Sequence, residues 1–439
     1  MTTVICSHDE TALTGVGSGS LPVLLFSQAT NKSNYSLGAQ VQERFIKKLP
    51  APPSTQAFDF LSLALGITAS DTFVRRDDTA DSWHREIHLK ISLANPDTWK
   101  PQLPLIVKAL SFLTGDHWEI ELADNGFLPT PEKGKSCVAD SICLFSGGMD
   151  SLIGAIDAIA DGRNPLFVSH SPSFDQKAQK YLVNKMGIEA DHLSVNMHPL
   201  ARTASQGGNE TSTRSRSLLF MALGSMAASS VMNAKGLSTL NLIVPENGFI
   251  SVNAPLTPRR LGARSTRTTH PYFLSTLQTV LSNVGLPVSL VNPYLGQTKG
   301  EMLSGCKDAA LVKRLAKYSV SCGRMARPRK GFSPGTHCGA CLPCMVRRAA
   351  FNQAAIVDDT NKGYVFDDLA KALKSEAARD DVLATLIAIE RHSNKDMTKW
   401  ASSNGPLPSD KTERHQRLDA VRNGLAELKS FLKAQGCIP

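Results

Sequence analysis

Residues 141–145, Ser-Ile-Cys-Leu-Phe, form a short apolar run without alternation, which predicts a strand buried on both faces, as in a parallel sheet. Comparable runs recur at 165–168, 192–197, 240–244 and 287–291, and stretches of helical length and composition lie between them at 174–187, 214–234 and 270–284. Strands alternating with helices predict a five-stranded parallel α/β sheet. Segments 83–91 and 117–122 read differently, because apolar and polar residues alternate as in a strand with one wet face. Residues 103–113, between them, have helical spacing, so a small α+β domain is expected over 1–135, closed by Asn125-Gly126 and a Pro- and Lys-rich linker at 129–135. The remainder reads as helical, with amphipathic stretches at 379–392 and 411–434 around a polar segment at 402–408. The expected domains are therefore 1–135, 136–350 and a helical 351–439, with no internal repeat or low-complexity tract.

Composition changes this picture little. A length of 439 residues suits two or three domains, and 42% hydrophobic with 20% charged residues is ordinary for a globular protein. No uninterrupted apolar run approaches a membrane span, and the first residues lack a basic stretch leading into an apolar one, so a cytoplasmic protein with no membrane association is expected. The net charge of +9 favours anionic ligands (nucleotide, nucleic acid or an acidic protein surface) without choosing among them. Basic residues cluster at Arg259, Arg260, Arg264 and Arg267, and again at Arg324, Arg327, Arg329 and Lys330.

Candidate chemistry begins directly after the first apolar run. Ser146-Gly147-Gly148-Met149-Asp150-Ser151 separates it from a stretch of helical spacing that stops at Asp161-Gly162. A strand, a glycine pair flanked by hydroxyls and a helix start form an anion cradle: glycines admit a phosphate to backbone N–H groups, and the helix N-terminus adds partial positive charge. The lysine of a GxxxxGK[ST] loop is missing, which disfavours a kinase-type phosphate site. The hexapeptide matches SGGxDS, a loop that holds pyrophosphate in enzymes splitting ATP between its α and β phosphates. All six residues, Met149 included, are therefore candidate ATP-binding positions.

Four of nine cysteines are grouped: Cys322, Cys338, Cys341 and Cys344, spaced C-x15-C-x2-C-x2-C. Grouped thiols in a reducing compartment point to metal rather than disulfides. Four thiolates complete a tetrahedral Zn²⁺ shell and leave no open position, so a structural zinc site is expected, with an iron–sulfur cluster as the other metal these ligands admit. His337 is a possible substitute ligand.

The loop and the cysteines together, about 170–200 residues apart, resemble the QueC-like 7-cyano-7-deazaguanine synthase family of PP-loop ATP pyrophosphatases. Gln297-Thr298-Lys299-Gly300-Glu301 is similar to that family's TKxE segment, and Ser215-Arg216-Ser217-Leu218 to its arginine-led helix, with Ser217 where asparagine is usual. The likeness covers about 136–350. Residues 170–176 match an aspartate-tyrosine-glycine-glutamine segment only loosely, and Pro245-Glu246-Asn247-Gly248-Phe249 stands where the acidic base-recognition segment is expected. The length and the N-terminal block make the chain most like the larger, QatC-like branch found in anti-phage operons.

The resemblance implies an adenine nucleotide alpha hydrolase-like fold and an ATP-dependent carbon–nitrogen ligase. The carboxylate of 7-carboxy-7-deazaguanine would attack ATP to form an acyl adenylate, and an amine would then displace AMP. Ser146, Gly147, Gly148 and Ser151 would bind phosphate, Asp150 would position Mg²⁺, and Lys299 and Arg216 would oppose the developing phosphate charge. The favoured acceptor is an amine on an operon-encoded partner protein. A synthase using ammonia to make the nitrile is the alternative, followed by a PP-loop enzyme modifying tRNA; nucleic acid is a possible partner but not the favoured one.

Overall fold

The computed structural model describes residues 1–17, 19–129, 136–170, 173–201, 209–210, 214–256, 267–324, 335–376, 378–393 and 395–438. Among these residues lie two five-stranded sheets, each parallel throughout. The first contains β1 (Thr2–Ser7), β2 (Ser20–Leu25), β3 (Tyr35–Leu37), β4 (Glu86–Ser92) and β5 (His117–Ala123), in the order β3-β2-β1-β4-β5. The second contains β6 (Ser141–Leu144), β7 (Pro165–His170), β8 (His192–Val195), β9 (Leu240–Ile243) and β10 (Val288–Val291), in the order β8-β7-β6-β9-β10. The helices of twelve or more residues are α1 (Thr55–Phe73), α2 (Leu103–Thr114), α3 (Met149–Ala160), α4 (Ser173–Met186), α5 (Arg216–Lys235), α6 (Pro271–Asn283), α7 (Leu342–Gln353), α8 (Arg379–His392) and α9 (Lys411–Ala434).

The five strands expected in the second sheet are all present. The first block is corrected: it is α/β rather than α+β, because its strands run parallel. Alternation at β4 and β5 is real, with Ile87, Leu89, Ile91, Trp118, Ile120 and Leu122 buried between wetter neighbours. Alternation reports one wet face, however, and carries no information on strand direction.

Within each sheet the strands follow the same order, third-second-first-fourth-fifth, so each has a switch point beside its first strand, where ligands of open parallel sheets bind. In the first sheet an aromatic cluster forms near that end of the sheet. Phe127 packs its ring 5.0 Å from Phe26, 5.5 Å from His8 and 5.6 Å from Phe58, next to the carboxyl ends of β1 and β2. The second sheet's crevice is open and forms the cavity described below.

Helices α1 and α5 join the two sheets. Both are buried on nearly every side; α1 lies on β2 and β4, α5 on β6, β7 and β9, and the two helices pack together. At their contact the Ser54 N–H donates to Ser229 Oγ at 2.8 Å and the Ala51 N–H to Ser230 Oγ at 2.9 Å. Gly224 lets α5 approach the sheet, since a Cβ there would stand 2.6 Å from Leu242. By length and composition α5 qualifies as a membrane span, but 89% of that window is buried inside the protein, as expected of a helix between two sheets.

One hydrophobic cluster runs from Val4 through Leu61 and Ala227 to Val288, across the expected boundary at 135/136. Another joins Phe249 and Val252 to Met345 and to Leu425 and Leu428 of α9, across the expected boundary at 350/351. Among the described residues, neither terminal block has a hydrophobic cluster that stops at the expected boundary.

Candidate functional site

The cavity lies at the carboxyl ends of β6 and β9 and encloses about 390 Å³. Its floor is the turn after β6. Gly147 has φ +81°, and a Cβ there would meet Gln179 Cγ at 2.9 Å, so only glycine suits the position. The Gln179 side-chain amide donates to the carbonyls of Ser146, at 2.9 Å, and His170, at 3.3 Å, fixing the turn to β7. Gly148 is the N-cap of α3, and no side chain caps that helix. Its first turn therefore faces the cavity at Met149, Asp150 and Ser151 with helix N–H groups that a ligand can use. Ser151 Oγ donates to the Gly148 carbonyl at 3.0 Å and lies 3.2 Å from Ser146 Oγ, which keeps both hydroxyls at the mouth of the turn.

Asp150 is not the surface side chain its position in a loop suggests; it is 6% exposed. Lys299 Nζ lies 3.0 Å from Asp150 Oδ1 and is also buried. The Asn247 side-chain amide donates to Asp150 Oδ2 at 2.8 Å and to Glu246 Oε1 at 3.1 Å, bridging two carboxyl groups. Burial raises the Asp150 carboxyl, but the Lys299 ammonium, with hydrogen bonds from Glu246 and Asn247, outweighs burial and holds it below the usual range. Glu246 is pushed well above its usual range by burial and by the adjacent Asp150 charge. Two acidic side chains thus share one lysine, and burial with the neighbouring Asp150 charge disfavours ionisation of Glu246.

Lys299 opens a short helix, Lys299–Ser304, with a complete capping box: Thr298 Oγ1 accepts from the Glu301 N–H at 3.0 Å, and Glu301 accepts from the Thr298 N–H at 2.7 Å. Thr298 Oγ1 also donates to Glu427 of α9, so the C-terminal helix supports the lysine from behind. Arg216 opens α5, pairs with Asp175 at 2.6 Å and lies over the Phe220 ring at 5.7 Å. Four polar atoms of cavity-lining residues are buried without a partner in the protein: Ser217 Oγ, Thr269 Oγ1, Ser321 Oγ and Arg216 Nε. Buried polar atoms are nearly always satisfied, so these four are polar groups a ligand or water in the cavity could meet.

The four cysteine sulfurs lie within 4.8 Å of one another. Cys338 Sγ and Cys344 Sγ are 3.8 Å apart, the edge of a tetrahedron with metal–sulfur bonds of about 2.3 Å. Backbone N–H groups of Arg324 and Cys338 donate to Cys322 Sγ at 3.4 Å, and that of Cys341 to Cys338 Sγ at 3.3 Å, the support thiolates need. Hydrogen bonds among the thiols, led by that from Cys338, hold the Cys322 thiol far below its usual range. This donor set fits a closed metal site of the zinc type. His337 stays outside it, with Nε2 accepting from the Ser321 N–H at 3.3 Å.

The cysteine cluster and the cavity share a wall. Val320, Ser321, Cys322 and Gly323 line the cavity, and the Val320 N–H donates to the Gly147 carbonyl at 2.9 Å. The segment that ends on a cysteine ligand thus straps the Ser-Gly-Gly turn.

The cavity brings together Ser146, Gly148, Met149, Asp150, Ser151, Arg216 and Lys299, with Gly147 just behind the wall. Sequence reasoning did not identify Glu246 and Asn247 as partners of Asp150, nor Ser217 and Thr269 as cavity hydroxyls. The available signal was positional: Glu246 and Asn247 follow β9, the strand beside the first strand of this sheet. Of the basic clusters, only Arg267 and Arg324 lie within the described residues; Arg267 donates to the Phe112 carbonyl and Asn404, and Arg324 pairs with Asp381. The others, and residues 171 and 172 of the segment after β7, lie outside them. No protein-family model matches the chain, and no curated protein matches it.

Proposed function

We propose that the cavity binds ATP together with a carboxylate substrate, and that the chain joins that carboxylate to an amine with release of AMP and pyrophosphate. The reading rests on one convergence: an uncapped helix N-terminus after β6, Arg216 from α5 and Lys299 from the segment after β10 meet around one switch-point cavity. Polyphosphate against the first turn of α3 would be met by backbone N–H groups and by the hydroxyls of Ser146 and Ser151. A carboxylate oxygen attacks the α-phosphorus, the bond to the bridging oxygen breaks, and pyrophosphate leaves. Lys299 and Arg216 oppose the charge that develops on it. The amine nitrogen then attacks the acyl carbon, AMP departs, and the amine's proton passes to solvent.

Asp150 and Glu246 offer adjacent carboxyl oxygens, the donor type Mg²⁺ takes, and a divalent charge there would offset the burial and the mutual repulsion that raise the Glu246 carboxyl. When bound, the ion would neutralise polyphosphate charge. Cys322, Cys338, Cys341 and Cys344 would hold Zn²⁺ in a structural role.

For the acid substrate we favour a deazaguanine carboxylate. The resemblance of the loop, the Lys299 segment and the cysteines to QueC-like synthases supports this, as do the unpartnered hydroxyls of Ser217 and Thr269 beside Phe220, Met221 and Ile250, which suit a flat heterocycle with a polar edge. For the acceptor we favour an amine on a partner protein, because the sequence that follows the cavity-lining Gly323 is rich in basic residues able to engage an acidic protein surface. One observation favours ammonia instead: α1 of the N-terminal block is spent on packing against α5, which weakens the case for that block as a docking platform.

The test is incubation of the purified chain with ATP, Mg²⁺ and 7-carboxy-7-deazaguanine, with ammonium or with candidate partner proteins, read by mass spectrometry. AMP formation that depends on the acid is expected, with added mass on a protein. Nitrile formed rapidly from ammonium alone would overturn the protein acceptor, and absence of AMP under every condition would overturn the ligase reading.

A further inference from the structure

The cavity end of α5 is held by the first sheet. Asp71, near the C-terminal end of α1, is fully buried, and its Oδ2 accepts from the backbone N–H groups of Arg214, at 2.6 Å, and Ser215, at 2.7 Å. Ser215 is the N-cap of α5 but makes no capping bond with its own side chain, and its hydroxyl is buried without a partner. A carboxylate about 144 residues earlier in the chain does the work of a cap. The next two residues, Arg216 and Ser217, line the cavity.

The surroundings of Asp71 suit this task. Its Oδ1 accepts from Arg85 at 2.5 Å, and Arg85 also donates to Asp116 Oδ2 at 2.5 Å. Arg76 pairs with Asp116 at 2.9 Å, its N–H donates to Glu210 at 3.0 Å, and Arg214 donates to the Thr114 carbonyl at 2.6 Å. Three carboxylates and three guanidiniums balance to zero. An isolated carboxylate at a helix N-terminus would cancel the partial positive charge there and repel an approaching phosphate. With Arg85 against it, Asp71 fixes the backbone while leaving that end of α5 free to receive an anion.

We propose that Asp71 is a positioning residue: it sets the first turn of α5 so that Arg216 meets the polyphosphate, and the N-terminal sheet is by this route part of the nucleotide site. The proposal rests on the nucleotide reading of the cavity. Asp71→Asn puts an amide N–H₂ where Arg85 donates and weakens the anchor. Ser215→Pro deletes one of the two N–H donors without touching the charges, and the observed φ of −77° at Ser215 suits proline.

The experiment compares the full chain with Asp71→Asn, Ser215→Pro, Arg216→Ala and the double variant Asp71→Asn/Arg216→Ala. MgATP affinity is measured by calorimetry and amide exchange over 214–220 by mass spectrometry. Asp71→Asn and Ser215→Pro should each weaken MgATP about tenfold, the worth of one charge-assisted hydrogen bond, and speed exchange over 214–220. The double variant should bind no more than twofold more weakly than Arg216→Ala alone, because the anchor acts through the arginine. Multiplied losses in the double variant would make Asp71 merely structural and overturn the proposal, as would wild-type affinity in a folded Ser215→Pro. Wild-type protein that binds no MgATP would defeat the nucleotide reading and this proposal with it, while exchange over 214–220 would still show whether Asp71 anchors the turn. Unchanged exchange in both variants would defeat the anchor by itself.

Discussion

Asp150, Glu246 and Lys299 hold two acidic groups against one ammonium, and that imbalance sets an unusual response to mutation. In Asp150→Asn the Lys299 ammonium loses its carboxylate, and removal of one partner from a buried pair ordinarily costs about 3–5 kcal/mol. Here Glu246 adjoins Asp150 through the shared Asn247 amide, and its carboxyl is raised first by burial and then by the very charge being removed. Without Asp150 it ionises and takes over the pairing, so the loss should fall to about 1–2 kcal/mol, the size of a rearranged hydrogen bond. Glu246→Gln leaves the Asp150–Lys299 pair intact and should cost no more than about 1 kcal/mol. The double variant has no anion left and should show the full penalty of about 3–5 kcal/mol, exceeding the sum of the singles by about 2 kcal/mol.

Urea denaturation at pH 7 in magnesium-free buffer measures all four proteins. There is also a pH signature. A glutamate raised in the fold above its ordinary value of about 4.3 contributes stability below that pH and loses it as pH rises toward the folded value. Wild-type stability should therefore decline from pH 5 upward, and Glu246→Gln should flatten that decline. AMP formation should vanish in Asp150→Asn although the protein stays folded. Single-variant losses that add to within about 0.5 kcal/mol of the double would refute charge takeover by Glu246.

Cys341→Ser should lose bound metal, about one zinc per chain by elemental analysis, and should also weaken MgATP, because the strap from Val320 to Gly147 ends on Cys322; zinc retained, or iron found with visible absorption, contradicts the structural-zinc assignment. Glu427, pushed up to about 7 chiefly by burial, contributes stability below about pH 4.5 and loses it as pH rises through 7, so Glu427→Gln should melt like wild type at pH 5 and gain on the order of 2 kcal/mol at pH 8. Gly147→Ala meets both a φ of +81° and the Gln179 side chain, and should cut AMP formation at least about tenfold while lowering Tm by only a few degrees; full turnover would remove the turn from the site. Deleting residues 1–130 should abolish soluble, ATP-binding protein, because α5 loses α1 and its Asp71 anchor; a stable, active fragment would show the first sheet to be dispensable.

The second sheet was legible because its strands are short, largely apolar runs spaced by segments of helical length, and α3 and α6 among its crossover helices keep a polar face, although α5 does not. The first sheet was half legible. β4 and β5 alternate and were found, whereas β1–β3 and α1 were missed, because a helix buried on both sides has no polar stripe to reveal its period. The same cause hid the boundary: composition shifts at 135, but the hydrophobic cluster does not stop there. In the site, residues adjacent in sequence were visible and residues joined only by the fold were not. Ser146–Ser151 and the cysteines carry their spacing with them, whereas the bond between Asp150 and the Asn247 amide joins positions 97 residues apart, and that between Asp71 and Ser215 joins positions 144 apart.

That distribution bears on what the first sheet is for. It shares a strand order with the second, and Phe127 packs on His8 and Phe26 just past the carboxyl ends of its first two strands. A bystander domain would meet its neighbour through a polar, dispensable surface. Instead α1 gives α5 a buried apolar partner along its length and a carboxylate at its cavity end. A helix that must hold a guanidinium in register with a turn on another strand gains from being gripped on both faces, since an angstrom of slack at Arg216 would be felt at the ligand. The first sheet is therefore better understood as a support behind α5, one packing layer removed from the cavity lining, than as an appendage.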